Sequence, residues 1–197
     1  MSAVLERIIP DIVANGVKPR LITVSEYDRM IEAGIYTEND RIELLNGEIV
    51  EIMPKGPKHT SANSKIVRFF IRLFNEEVIV RSQDPIRLDD FSEPEPDVVL
   101  ANWDAKEYSE NHPTPNDILL VMEISDTTLG YDRDSKAIAY SRSGIQQYLL
   151  LNLKNETLED YREPNADGYG AKRTYRSGDV FNLVAFPEIE IKFDNLF

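Results

Sequence analysis

The chain has no cysteine among its 197 residues, which excludes disulfides, a thiolate nucleophile and every zinc or iron–sulfur site built on Cys. Histidine is nearly as scarce, with only His59 and His112 present. A zinc hydrolase or a histidine-based triad therefore has little to be made from. No apolar run is long enough to cross a bilayer. The first ten residues contain Glu6 and Arg7 and lack the apolar stretch of a signal peptide, so a reducing cytoplasm is the expected location. Positive charge is also in deficit: 22 Lys and Arg against 35 Asp and Glu give a net charge of −13. A surface of that sign does not coat nucleic acid indiscriminately.

What remains is ordinary in bulk and uneven in charge. Hydrophobic residues make up 42% and charged residues 29%, the balance of a soluble globular protein. The length suits one domain with a substantial core. Between Lys55 and Arg87, seven Lys or Arg stand against three acids, a basic region on an otherwise acidic chain. Such a region suits a nucleic-acid cleft, and equally a solvated helix face.

Residues 1–22 read as an arm broken by Pro10, Gly16 and Pro19, ahead of a single domain over 23–197. Thr23 and Glu26 form a capping box that opens a short helix, which Gly34 can close. Arg41 to Met53 reads as a hairpin about Asn46-Gly47, setting Leu44 opposite Ile49 and Glu43 opposite Val50. A helix is expected from about His59 to Glu77, with Ile66, Phe69, Phe70 and Leu73 as its apolar stripe and Lys65, Arg68 and Arg72 on another face. Strands follow near Val78–Val80, Ile86–Leu88, Val98–Leu100 and Ile118–Ile124, with a loop over 101–117. A helix over Asp132–Ser143 stops at Gly144, Tyr148–Leu153 is a buried strand, and further strands and turns complete the chain. This order gives a mixed α/β (α+β) fold, a central β-sheet flanked by helices.

Two carboxylates break the apolar pattern. Asp97 precedes the run Val98-Val99-Leu100, and Glu123 sits within Ile118–Ser125, a strand apolar enough to be covered on both faces. A buried carboxylate loses its hydration, and two of them about 4 Å apart repel by roughly 4 kcal/mol at an effective dielectric near 20. A divalent metal would resolve that repulsion, and a nearby lysine would help. Removing one charge, as in Asp97→Asn, is then expected to leave the metal-free protein as stable or slightly more so. Simpler roles stand beside this one. Asp97 can cap a turn, Glu123 can pair internally with Lys136, and Lys136 can be an exposed helix lysine. Glu43 can be an ordinary strand carboxylate, His59 a helix-start histidine and Tyr140 a packing residue.

Pro96-Asp97, Glu123 on the next core strand and a lysine beyond resemble the PD-(D/E)XK nuclease superfamily. The wider pattern is similar to its Uma-two family of restriction-endonuclease-like proteins. It comprises Glu43-Leu-Leu-Asn-Gly-Glu, His59 after a proline-rich turn, Pro96-Asp97-Val-Val, Val121-Met-Glu123-Ile-Ser125 and Lys136-Ala-Ile-Ala-Tyr140-Ser-Arg-Ser-Gly144. Tyr148-Leu-Leu-Leu and Phe186-Pro-Glu-Ile complete it, over about residues 23 to 197. One departure stands out: the superfamily's lysine, two residues after Glu123, is replaced by Ser125.

The resemblance implies a metal-dependent endonuclease acting on DNA. Asp97 and Glu123, with the Ile124 carbonyl, would hold Mg²⁺, with Mn²⁺ as the alternative ion, and Lys136 would supply the missing amine. Glu43 would extend the acidic cluster, while His59, Lys65, Arg68 and Arg72 would contact nucleic acid. A homodimer is implied as well, because two-fold symmetry suits cleavage of both strands. The alternatives are a nuclease-shaped binding or scaffold protein without turnover and a carboxylate–metal hydrolase that does not act on phosphate.

Overall fold

The Asn46-Gly47 turn decides the first part of the fold. Both residues have positive φ, 53° and 78°, as a type I′ turn requires. The turn joins β1 (Ile42–Leu45) to β2 (Glu48–Glu51), pairing Leu44 with Ile49 and Glu43 with Val50, as the sequence predicts. Gly47 has a second constraint: a Cβ there would lie 2.6 Å from the Leu21 Cβ. The structure, a computed structural model, describes residues 19–37 and 39–197. Most of the expected N-terminal arm lies outside them, but Leu21 is buried and Ile22 N–H donates to the Gly47 carbonyl. Helix α1 (Val24–Glu32) carries the full Thr23–Glu26 capping box and covers Leu44 with Val24 and Tyr27.

The body is a six-stranded sheet in the order β3-β4-β5-β6-β7-β8. Its strands are β3 (Val78–Arg81), β4 (Val98–Asn102), β5 (Ile118–Ser125), β6 (Gln147–Asn152), β7 (Thr157–Asn165) and β8 (Gly168–Tyr175). All neighbours are antiparallel except β5 and β6, which are parallel. A parallel pair needs a crossover. Here it is a helical rod of three pieces: α3 (Leu129–Tyr131), a π turn (Asp132–Lys136) and α4 (Ala137–Arg142).

Helix α2 (Pro57–Phe74) begins with Pro at its first turn and packs Ile66, Phe70 and Phe74 on one sheet face, against Val98, Leu100, Leu120, Met122 and Ile124. The small ribbon of β9 (Val180–Asn182) and β10 (Glu190–Lys192) adds Phe181 and Ile191 to that core. The other face carries Val99, Val121, Tyr148 and Leu150 beneath Tyr140 of α4, Leu45 of the hairpin and Ile86. The expected strand at Ile86–Leu88 is not one. Its amides reach Pro94, Pro113 and Ser92 carbonyls in an irregular excursion that fastens the hairpin through Glu93 N–H to the Leu44 carbonyl. Among the described residues no helix is long and apolar enough to cross a membrane.

Candidate active site

Asp97 stands one residue before β4, and the register that pairs Val98 with Met122 continues toward Glu123. The Asp97 amide donates to Glu123 Oε2 at 3.2 Å, and the Ile124 amide donates to Asp97 Oδ2 at 2.9 Å. The two carboxylates thus share one strand end, both buried. Lys136 arrives from the π turn with its Nζ 2.9 Å from Glu123 Oε1 and 3.1 Å from Glu43 Oε2. The amine therefore reaches Glu123 from the crossover although Ser125 occupies the usual lysine position. Tyr140 donates its hydroxyl to the same Glu123 oxygen at 2.7 Å. Packing against Tyr148 accounts for its ring, but not for that hydroxyl, so the residue does more than pack.

Glu43 is no ordinary strand carboxylate. It points from the hairpin to the sheet side, accepts from the Glu95 amide at 3.0 Å and from the Tyr131 hydroxyl at 2.9 Å, and is fully buried. His59, in the first turn of α2, holds Nε2 3.0 Å from Asp97 Oδ2, while its Nδ1 is buried without a hydrogen-bond partner among the described residues. Lys55, on the Pro54–Pro57 connection, places Nζ 2.9 Å from Asp97 Oδ1. Lys65, Arg68 and Arg72 are exposed on the outer face of α2 and do not line the site. Asp132, Tyr131, Lys55 and Tyr140 join the site without having been singled out for it from sequence.

The π turn explains Tyr131. In a regular α-helix, residues five apart differ by about 140° around the axis, at 3.6 residues per turn. Here the Ala137 amide bonds to the Asp132 carbonyl, a wider turn, and such turns recur at functional sites. Tyr131 and Lys136 then both reach Glu43, with Lys136 Nζ 5.9 Å from the Tyr131 ring centre. Arg133, pointing the other way, grips both carboxylate oxygens of Glu159 of β7 through its Nε and Nη2 and anchors the turn.

The electrostatics follow from these partners. Burial raises Asp97, but the hydrogen bond from His59 and the charge of Lys55 reverse that and hold it below the ordinary carboxylate range. Glu123 goes the other way: burial raises it, Lys136 opposes, and Asp97, Asp132 and Glu43 push it further up. Burial would lower Lys136, yet Glu123 and Glu43 hold it well above a normal lysine. These two directions are compatible because Lys136 has two carboxylate partners. A proton on Glu123 still leaves the ammonium paired with Glu43.

A cavity of about 480 Å³ opens over this cluster. Seven carboxylates line it against two lysines and one histidine. Among the described residues, no three His, Asp or Glu side chains are grouped closely enough to hold a metal; Lys55, His59 and Lys136 engage the Asp97, Glu123 and Glu43 oxygens. The donor set nonetheless fits a hard divalent cation, since carboxylates in excess beside a backbone carbonyl are what such ions prefer.

A protein-family profile described as "Uma2: Putative restriction endonuclease" matches residues 24–194. No curated protein matches the chain. Among solved structures, the crystal structure of "a putative nuclease belonging to DUF820" from Anabaena variabilis has the same fold. It is 18% identical with a TM-score of 0.67, over 89% of this chain and 97% of that one.

Proposed function

This chain belongs to the Uma2 family, and from that premise we propose that it is a metal-dependent endonuclease hydrolysing DNA phosphodiesters at the cluster of Asp97, Glu123, Lys136 and Glu43. One observation supports this above the rest. Asp97, Glu123 and Lys136, from three different elements, meet beneath one cavity, with the ammonium 2.9 Å from Glu123. Mg²⁺, or Mn²⁺ in its stead, would be held by Asp97 and Glu123 with the Ile124 carbonyl, and would supply Lewis-acid polarisation of the phosphate and a more acidic bound water.

The chain's own groups do the rest. Lys136 orients an attacking water or steadies charge on the phosphate as the phosphorus–oxygen bond to the leaving group breaks. Tyr140 and Tyr131 fix the orientations of Glu123 and Glu43. Glu43 extends the negative site toward a second cation. Lys55 and His59 engage Asp97 in the free protein and are placed to turn to a phosphate oxygen when substrate arrives. Lys65, Arg68 and Arg72 contact the nucleic-acid backbone further out. The dimer implied by the resemblance enters no step of this chemistry.

The test is incubation of purified protein with single- and double-stranded DNA and Mg²⁺ or Mn²⁺, beside Asp97→Asn prepared identically. Metal-dependent cleavage absent from the variant is the expected result. If wild-type protein leaves both forms intact, the second reading takes over: a nuclease-fold binding or scaffold protein without turnover. The engagement of Lys136 by Glu123 and Glu43, and Ser125 at the usual lysine position, favour that reading.

A further inference from the structure

The carboxylates are not on an open surface. Asp97 and Glu123 are buried at the base of the cavity, under the β1–β2 hairpin and its exit. At about 480 Å³ the cavity has room for roughly one nucleotide and is too small for a duplex. Its walls differ. Val50, Ile52, Met53 and Pro54 make one side apolar, and Met53 is 62% exposed with no core to fill. Glu51 and Asp126 line it too, so the mouth is flanked by acid.

One run of exposed positive charge leads away from the cavity along α2. Lys58, Lys65, Arg68 and Arg72 recur at helical spacing on the exposed face of α2, and among the described residues none forms an ion pair. This stripe starts one residue from His59, which lines the cavity, and runs about 21 Å along the helix at 1.5 Å per residue. A duplex brings two phosphate strands to the acidic mouth and needs cations on both sides of it. A single strand needs one cationic track and a surface on which a base can lie, the pattern of sequence-tolerant single-strand binding.

Building on the endonuclease reading, we propose that the substrate is an unpaired strand. One nucleotide enters the cavity with its base against Ile52 and Met53, and the neighbouring phosphates follow Lys58, Lys65, Arg68 and Arg72. Each copy of the chain then acts alone on a single-stranded segment, a loop or a tail, with no need for a two-fold partner.

Fluorescence anisotropy of a labelled oligonucleotide, its blunt duplex and a duplex with a single-stranded tail, in Ca²⁺ to slow turnover, tests this. The single strand and the tailed duplex are expected to bind at least about tenfold tighter than the blunt duplex. Changing Lys65, Arg68 and Arg72 together to Gln should lower the salt slope by about 2, at about 0.7 per phosphate contact. Met53→Ser, at an exposed position, should weaken single-strand binding about threefold or more at unchanged salt slope. A blunt duplex bound as tightly as its own strands, Met53→Ser binding like wild type, or no binding of any oligonucleotide each overturns the proposal. Selective single-strand binding without cleavage in Mg²⁺ or Mn²⁺ sinks the endonuclease reading and leaves the strand preference standing.

Discussion

Glu123 and Glu159 lie two strands apart in one row of the same sheet face, paired through Leu150 between them. Both are buried and both are touched by a tyrosine hydroxyl and a cation. Burial pushes each up, but at Glu159 the bonds from Arg133, Lys172 and Tyr161 more than reverse it and hold the carboxyl at about 2. At Glu123 burial prevails, because Lys136 is shared with Glu43 while Asp97 and Asp132 add negative charge nearby. Glu159 has two cations to itself and does not line the cavity; Glu123 has half of one and does. Sheet position and burial therefore do not distinguish a structural ion pair from a reactive site. What differs between the two is the ratio of cation to carboxylate beneath an opening, the feature that makes Glu123 the candidate.

The largest expected effect comes from removing each cluster's inner cation. Lys136→Met leaves two buried carboxylates without their shared partner and should cost about 3–5 kcal/mol of metal-free stability. Cleavage should fall by about 10²–10⁴-fold. Mg²⁺ should then raise the melting temperature more in this variant than in wild type, since it binds only the folded state. Arg133→Met should also lower stability, but with no extra gain from Mg²⁺. Equal Mg²⁺ recovery in both would erase the distinction. Glu123→Gln covers the case in which Lys136→Met does not fold. Glu123's folded pKa is raised, so its contribution is full below the unfolded value and lost as pH rises through the folded one. Wild type should therefore lose stability progressively from the unfolded value near 4.3 up to about 8, and level off above that, in a way that Glu123→Gln does not. Asp97 behaves differently: Lys55 and His59 already stabilise that charge, which argues against the expectation that Asp97→Asn relieves repulsion. Asp97→Asn should destabilise the metal-free protein.

Glu159→Gln is next in size. Arg133 and Lys172 are partly exposed, which keeps the cost near 1–2 kcal/mol at neutral pH. The folded pKa of about 2 is depressed, so this stability is present above the unfolded carboxylate value near 4.3 and lost as pH falls toward 2. Urea midpoints for wild type and Glu159→Gln should therefore differ most above about pH 5 and converge toward about pH 2. Cleavage at neutral pH, per folded molecule, should not change. A constant gap across that range would mean that Glu159's charge contributes nothing to folding.

The sequence carries the hairpin register and the order of core strands, because Asn46-Gly47 fixes a turn and long apolar runs leave little choice of fold. It carries Glu123 as a charge inside an apolar run, and Asp97 as the charge that heads the run Val98-Val99-Leu100. Three things were not legible. The π turn has no local signature, so α-helical spacing puts Tyr131 on the wrong face and hides its meeting with Lys136 at Glu43. Lys55 sits in a proline-bounded connection, where only the fold reveals that it faces Asp97. Ile86–Leu88 is as apolar as a strand, but its amides are taken by Pro94, Pro113 and Ser92 carbonyls and not by a ladder.

The smallest perturbation removes one oxygen from each cluster. Tyr161→Phe deletes a hydroxyl 2.6 Å from Glu159 Oε2, an oxygen that keeps Lys172 at 2.8 Å. Its cost should be about 1 kcal/mol of stability or less, without any change in metal response. Tyr140→Phe deletes the hydroxyl on Glu123 Oε1 and leaves that oxygen with Lys136 alone. A donor to a carboxylate favours its ionised form, so its loss raises Glu123 still further. A cation needs that carboxylate ionised, and the variant must give up a proton it holds more tightly. Mg²⁺ binding, read from the melting temperature across a metal titration, should weaken by about fivefold at neutral pH, the equivalent of one hydrogen bond. The deficit should shrink as pH rises, because both proteins are then deprotonated before the cation arrives. If Tyr140→Phe and Tyr161→Phe shift the metal titration equally, or neither shifts it, Glu123 is a structural carboxylate like Glu159 and the site has to be sought around Asp97 and Glu43 alone.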